Sequence, residues 1–186
     1  MYGMVNKALH GLISRRFGDT VWQEIRKRAG IDVEYFVSMD SYDDAISYRL
    51  VGAASELLKI PADELLREFG RHWILYTAQE GYGELLQVCG SKFQEFLLNL
   101  DSLHARIGVS FPKLRPPSFR CSDCTDNSVV LHYYTTRPGL APMVVGLLEG
   151  LGERLQTEVE VQILASRESG ADHDQFLIRH RPRQEE

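Results

Sequence analysis

Apolar residues recur every three or four positions through the first two-thirds of the chain, which is the spacing of amphipathic helices. Glycines at 18 and 30 are expected to end the first two helices, and Pro61 suits the start of another. A short helix is predicted from Glu84 to Val88, and a longer one from Phe93 to about Arg106. The first three helices are defined by Val5, Leu9, Leu12, Ile13 and Phe17; by Trp22, Ile25 and Ala29; and by Ile46, Leu50, Val51, Ala54, Leu57 and Leu58.

The last third of the chain changes to the two-residue alternation of β-strands. One strand is predicted from Ser128 to Thr135, and a helix follows it from Leu140 to Leu155. Two more strands are predicted after this helix, around Val159–Ile163 and Phe176–Ile178. The segment FPKLRPPSF, residues 111–119, contains three prolines and is not expected to be helical throughout. The predicted class is α+β: a helical N-terminal half followed by a C-terminal antiparallel sheet with an inserted helix.

Length and charge narrow the classes of function. The chain of 186 residues suits a single domain, and its net charge of −5 disfavours binding to nucleic acid, which requires clustered positive charge. No apolar run reaches the ~20 residues needed to span a bilayer. The N-terminal sequence MYGMVNKALHGL does not have the unbroken apolar core of a signal peptide. We therefore expect a cytoplasmic protein that does not bind membranes.

The chain has three cysteines, at positions 89, 121 and 124. Cys121 and Cys124 have half the spacing of a zinc ribbon, but no second CxxC follows them. Reduced thiols in a loop are the favoured interpretation. A metal site completed by Cys89 or His132, or a redox-active pair, is the alternative.

A histidine interrupts the apolar stripe of the helix predicted from Phe93. His104 lies four residues after Leu100 and seven after Leu97, so its side chain is expected on the apolar face. A single imidazole on such a face is usually a hydrogen-bonded core histidine. The functional alternative is an axial ligand to haem iron, for which a neutral imidazole in apolar surroundings is suited. The rest of the stripe is Phe93, Phe96 and Ile107.

Two hydroxyls and a guanidinium recur at every second residue in Tyr133-x-Thr135-x-Arg137. If the strand continues to Arg137, all three side chains share one face and form a row of donors for anionic oxygens. The alternative is a polar ladder on a solvated face of the sheet. An anion-binding row and a possible iron ligand in one small chain match what haem requires, since haem has both iron and two propionates.

The chain resembles the H-NOX family, the haem nitric oxide/oxygen-binding domains related to the haem sensor of soluble guanylate cyclase. The resemblance extends from MYGMVNKAL through NLDSLHARIG, RPP, YYTTR and GLAPMVVGLLEGLG to the strand-rich C-terminus. It implies that His104 is the proximal iron ligand and that Tyr133, Thr135 and Arg137 bind the haem propionates, with Thr135 in place of the usual serine. It also implies that Pro117 distorts the porphyrin. No CxxCH motif is present, so we expect non-covalent haem b.

The same resemblance indicates which residues line the gas side of the haem. Oxygen-binding members carry a distal tyrosine where this chain has Met143, and a second polar position corresponds to Trp73. Val5 and Leu9 are expected to add apolar wall, although all four residues also fit an ordinary core. We therefore expect nitric oxide and carbon monoxide to bind, and no stable oxygen complex. The expected distal part is residues 1–65, and the proximal part residues 66–186.

These features predict a gas sensor, not an enzyme, that signals to a separate protein. The resemblance suggests a histidine kinase or a cyclic-nucleotide signalling enzyme as the partner. One alternative is a haem enzyme, such as a peroxidase or nitric oxide dioxygenase, but this needs an acid–base group above the iron that the apolar pocket does not supply. Another is a haem-free interaction module of the same fold.

Overall fold

The architecture of the chain is a helical N-terminal half followed by an antiparallel sheet that a helix interrupts, as predicted. The computed structural model describes residues 1–77, 83, 86–110, 113 and 115–183. No helix within these residues has the length and apolar character needed to cross a membrane. The helices are α1 (Gly3–Phe17), α2 (Asp19–Arg28), α3 (Asp44–Leu58), α4 (Ala62–His72), α5 (Phe93–Leu98), α6 (Leu100–Ser110) and α7 (Ala141–Arg154), with a π-helical turn at Trp73–Thr77 and a 3₁₀ turn at Arg167–Ser169. The strands are β1 (Ser118–Ser122), β2 (Ser128–Tyr134), β3 (Thr157–Ala165) and β4 (Asp174–Pro182).

The helix predicted from Phe93 to Arg106 is in fact two helices that meet at Asn99. The Asn99 side-chain amide donates to the carbonyl of Cys89 at 3.0 Å, and its backbone N–H donates to the carbonyls of both Glu95 and Phe96. An asparagine that bonds outside its own helix favours a helix end, which explains the break. The predicted short helix at Glu84–Val88 lies partly outside the described residues.

The four strands form one antiparallel sheet in the order β1-β2-β4-β3. Strands β2, β3 and β4 were predicted, and β1 was not. Strand β2 ends at Tyr134, one residue before the predicted end at Thr135, so the condition that it continues to Arg137 is not met. Alternation along β2 places Leu131 and Tyr133 on the inner face of the sheet and His132 on the outer face. In β1 the inner residues are Phe119, which pairs with Tyr133, and Cys121, which pairs with Leu131.

Helices α4 and α7 cross in close contact because glycines lie at the crossing point. A Cβ atom at Gly70 would overlap the carbonyl of Met143, and one at Gly146 would overlap the carbonyl of Arg67. An ion pair beside the crossing, from Arg67 Nε to Glu149 at 2.8 Å, joins the two helices on their exposed side. The end of α4 also contacts the C-terminal half of α7, where the backbone of Arg71 lies against Gly150.

The buried apolar residues form two clusters. One cluster includes Leu9, Leu50 and Phe69 from α1, α3 and α4. The other includes Phe96, Leu131 and the side chains of α7 that face the sheet. Trp73 packs against both clusters, so the turn after α4 lies where the two meet.

Candidate functional site

A cavity of about 330 Å³ is lined by side chains from both apolar clusters. Its walls are mainly aliphatic and aromatic, which suits a large apolar ligand. All the predicted site residues except Thr135 line it: His104, Tyr133, Arg137, Pro117, Trp73, Met143, Val5 and Leu9. The structure therefore brings the candidate iron ligand, the candidate anion-binding residues and the candidate gas-side residues to one cavity.

His104 reaches the cavity from α6, where Leu100 and Ile107 also line the wall, and Leu97 of α5 lies in the same wall. Its ring stacks on Phe119 of β1, with the ring centroids 5.6 Å apart. Asp101, three residues earlier, ties the same helix to the same strand, because its carboxylate accepts the backbone N–H of Phe119 at 2.6 Å and the hydroxyl of Ser118 at 3.1 Å. Helix α6 and strand β1 together fix the position of the imidazole.

The protonation chemistry of His104 suits a metal ligand. Burial lowers the pKa of His104 below its usual range, and the charge of Asp101 opposes this only in part. The imidazole is therefore neutral at neutral pH, which is the form that binds metals. Its Nδ1 atom is enclosed and has no hydrogen-bond partner among the described residues. Nε2 is the nitrogen that remains for coordination.

Tyr133 and Arg137 reach the cavity although Arg137 lies beyond the end of β2. Thr135 is in the turn between them, where its hydroxyl accepts the backbone N–H of Arg137 at 3.1 Å. This hydrogen bond stabilises a turn at Thr135. Arg137 therefore reaches the cavity through a turn and not through continuation of the strand. Burial raises the pKa of Tyr133, and a hydrogen bond with Thr135 and the charge of Arg137 oppose the rise. Tyr133 is thus a neutral phenol that can donate its proton in a hydrogen bond.

The guanidinium of Arg137 is held by residues far away in the sequence. Its Nε donates to Asp44 at 2.7 Å, and a terminal nitrogen donates to the carbonyl of Arg115 at 2.8 Å. Asp44 also accepts from the N-terminal amine of Met1. Burial alone would raise the pKa of Asp44, but the hydrogen bonds from the amine and from Arg137 lower it overall. Sequence reasoning missed Asp44, and its position in the first turn of α3 gave no indication of this role.

The wall residues Trp73, Met143, Val5 and Leu9 are mainly apolar. Trp73 makes an edge-to-face contact with Phe69, and no hydrogen bond of its indole N–H is present among the described residues. Met143, Val5 and Leu9 complete an apolar surface.

The other hydroxyls that line the cavity are engaged with protein groups, whereas Nδ2 of Asn6 is enclosed and has no hydrogen-bond partner among the described residues. The hydroxyl of Ser47 donates to the side-chain oxygen of Asn6 at 2.6 Å, and the hydroxyl of Tyr48 donates to the carbonyl of Pro138 at 2.9 Å. The Tyr2 oxygen accepts the N–H of Lys113 at 3.1 Å.

A tyrosine hydroxyl turned into the gas side of the cavity would favour oxygen binding, and Tyr76 and Tyr82 are the tyrosines nearest to Trp73 in the sequence. Tyr76 is partly exposed beneath the guanidinium of Arg15 and is not among the lining residues. Tyr82 lies outside the described residues.

The cysteines do not form a metal site among the residues the structure describes. No group of three histidine, cysteine or acidic side chains within them has the geometry of a metal centre. Burial raises the pKa of Cys121 to about 11, so this thiol is neutral. Cys124 is exposed, and Cys89 is buried.

The donor set of the cavity fits haem. An apolar space suits a porphyrin, a neutral imidazole with an enclosed Nδ1 suits its iron, and Arg137 with Tyr133 suits its carboxylates. Comparison with known proteins agrees with this chemistry: residues 2–163 match the model of the haem-NO-binding family. The chain belongs to the H-NOX family. H-NOX domains bind haem and are the gas-sensing domains of soluble guanylate cyclases.

Curated H-NOX relatives include soluble guanylate cyclases of Caenorhabditis elegans. The cyclase gcy-35 is 32% identical over 185 residues, covering 97% of this chain and 26% of the cyclase. The cyclase gcy-34 is 35% identical over 153 residues, covering 80% of this chain and 22% of the cyclase. The chain thus spans about a quarter of the length of these relatives.

Solved H-NOX structures share the fold of this chain. An H-NOX protein from S. oneidensis in the Fe(II)NO ligation state superposes with a TM-score of 0.89 at 19% identity, covering 97% of this chain and 99% of that one. The unliganded Fe(II) H-NOX protein from K. algicida superposes with a TM-score of 0.86 at 19% identity over the full length of both. At these identities the likeness establishes the fold.

Proposed function

We propose that this chain is a haem-based sensor of nitric oxide and carbon monoxide that signals to a separate protein. The observation that carries the proposal is the neutral imidazole of His104 in the wall of an apolar cavity that also contains Arg137 and Tyr133. Ferrous haem, when bound, supplies an iron atom that takes a diatomic gas as ligand. The cofactor in this proposal is non-covalent haem b, located between a distal part, residues 1–65, and a proximal part, residues 66–186.

His104 is the proximal ligand in this proposal, through Nε2. Its ring is held in one orientation by the stacked Phe119, and Asp101 holds that strand against α6. Burial keeps the imidazole free of a competing proton. Pro117 is part of the same wall and supplies the rigid contact that we expect to distort the porphyrin.

Arg137, Tyr133 and Thr135 bind the propionates in this proposal. A guanidinium has five N–H donors, and Arg137 uses three of them on Asp44 and Arg115, so two remain for a carboxylate. The Tyr133 phenol adds a neutral donor to the wall of the same cavity. Thr135 acts through the turn, because its hydroxyl fixes the backbone of Arg137.

The apolar wall formed by Met143, Trp73, Val5 and Leu9 supports selectivity for nitric oxide and carbon monoxide. Bound oxygen carries partial negative charge and gains from a nearby donor, whereas the other two gases depend on one far less. The same wall argues against a haem enzyme, since peroxidase chemistry needs an acid–base group over the iron. His72, the histidine adjacent to Trp73, is buried and is not among the lining residues.

The partner in this proposal is a cyclic-nucleotide signalling enzyme or a histidine kinase, in the cytoplasm. The match to soluble guanylate cyclases supports the first of these classes. The retained His104 and the donors around Arg137 argue against a haem-free interaction module of the same fold.

A His104→Gly variant tests the proposal. We expect purified His104→Gly protein to contain little haem, and to regain one equivalent when haem is added together with free imidazole, because the small base fills the vacated position. A His10→Ala variant is the matched control, since His10 lies on the surface of α1 and should leave haem content unchanged. Full haem content in His104→Gly without imidazole would contradict the assignment.

A further inference from the structure

Five side chains form a continuous hydrogen-bonded chain on the outer face of the sheet. The Ser122 hydroxyl lies 2.8 Å from Nε2 of His132, and Nδ1 of His132 lies 2.9 Å from Nε2 of His173. Nδ1 of His173 lies 2.6 Å from the carboxylate of Asp172. The hydroxyl of Ser122 is also 3.0 Å from the carboxylate of Asp123. The chain therefore has an acidic side chain at each end.

This hydrogen-bonded chain of side chains is separate from the cavity. Leu131 and Tyr133 line the cavity, and His132 lies between them in β2, so its side chain is on the other face of the sheet. His173, in the loop before β4, is buried beneath the stacked ring of Tyr134 at a centroid distance of 4.3 Å. These hydrogen bonds join β1, β2 and the start of β4. The proposed haem function does not use them.

The hydrogen-bond directions allow the chain to take up one proton without losing a bond. When both imidazoles are neutral, His173 donates to Asp172, His132 donates to His173, and Ser122 donates to His132. An added proton goes to Nε2 of His132, which then donates to the Ser122 oxygen. The Ser122 hydroxyl turns and donates to Asp123.

A second proton would break the hydrogen bond between the two histidines. The two facing nitrogens of His132 and His173, 2.9 Å apart, would then both carry hydrogen, and two cations would lie side by side.

The charged side chains around the two histidines lie mainly at the ends of the hydrogen-bonded chain. Arg120 lies opposite His132 in the β1–β2 register, with its guanidinium over the ring of Tyr134. On β4, the residue opposite His132 is the neutral Gln175, and Asp174 is occupied by the backbone N–H of Arg167. Arg120 opposes proton uptake, whereas the carboxylates of Asp123 and Asp172 favour it.

We propose that Ser122, His132, His173 and Asp172 form a proton-binding site that holds one proton between the carboxylates of Asp123 and Asp172. In the protonated state the contact of His132 with Ser122 becomes charge-assisted and therefore stronger. Because Ser122 is the last residue of β1, the proton fastens this edge strand to the rest of the sheet. The site responds to pH independently of the haem cavity.

An NMR titration of the imidazole nitrogens tests the site in the full chain, with any bound haem in the diamagnetic, reduced carbon monoxide form. From about pH 8.5 to about pH 5, we expect His132 and His173 to change together with one midpoint and to gain one proton in total. Separate midpoints with a full proton on each residue would overturn the proposal. So would the absence of proton uptake by either residue.

Charge-neutralising variants locate the proton. Asp123→Asn should lower the proton affinity of the pair roughly threefold, the effect of an exposed ionic contact. Ser122→Ala should lower it as well, because the link to Asp123 is lost. Asp126→Asn is the matched control, since it removes the same charge from the same loop outside the chain. An equal effect of Asp126→Asn and Asp123→Asn would contradict the proposal.

Discussion

The imidazole of His104 lies nearly parallel to the ring of Phe119, with 15° between their planes and 5.6 Å between their centroids. Phe119 is also the residue whose backbone N–H donates to Asp101, one turn before His104 on the same helix. A single residue of β1 thus controls both the orientation of the candidate iron ligand and the position of its helix. A movement of α6 would therefore displace β1, the edge strand of the sheet.

This contact predicts the behaviour of a Phe119→Leu variant. An aromatic pair is worth about 0.5–1.5 kcal/mol beyond its buried area, so its loss should speed haem release roughly two- to tenfold. The rate is measured as transfer of haem to an excess of a haem-scavenging protein. Phe93→Leu, another buried phenylalanine of the same cluster, controls for general loss of packing. Equal rates in the two variants would show that Phe119 has no special role at His104.

Arg137→Ala should lose haem more readily than Thr135→Ser. Loss of a charge-assisted hydrogen bond typically costs ~1.5–3 kcal/mol. The serine variant removes only a methyl group and keeps the hydroxyl that accepts the N–H of Arg137. Haem dissociation rates of both variants give the comparison, and indistinguishable rates would mean that this turn does not hold the propionates.

Acid should release haem from His104 only below about pH 6.5. Burial lowers the pKa of this imidazole, so the neutral ligating form persists below the pH at which an exposed histidine gains its proton. The contribution of the neutral imidazole is fully present above the unfolded pKa and is lost as pH falls through the lowered pKa. Haem absorbance followed as a function of pH checks this. Release that begins above pH 6.5 would be inconsistent with a buried, neutral His104.

Met143→Tyr is the single change most suited to create oxygen affinity. Met143 is in the first turns of α7 and lines the cavity together with Trp73. A tyrosine there returns a hydroxyl donor to the apolar wall. We expect the reduced variant to form an oxygen complex in air, measured by absorption spectroscopy, whereas Met143→Leu, which adds no donor, should not.

Most helices and three of the four strands could be predicted from the sequence because one face of each is buried, and this produces a regular apolar period. The placement of His104 on the cavity wall follows from the same apolar period. The helix break at Asn99 does not change this placement. Strand β1 was missed because it is a five-residue edge strand directly after a proline-rich segment.

The partners of the site residues could not be predicted in the same way. The ion pair of Arg137 with Asp44 joins residues 93 positions apart, and periodicity reports which face is buried but not what lies against it. The stacking of Phe119 on His104 is another contact of this kind. The propionate row was expected from strand alternation, yet Arg137 reaches the cavity through a turn that Thr135 stabilises.

The absorption spectrum of the purified, reduced protein tests whether this chain is a haem-based sensor of nitric oxide and carbon monoxide. The spectrum is recorded without oxygen, and then after separate additions of nitric oxide, carbon monoxide and air. We expect one bound haem whose bands shift with nitric oxide and with carbon monoxide, and either no change or slow oxidation in air. A protein that binds no haem, or one that forms a persistent oxygen complex in air, would contradict it.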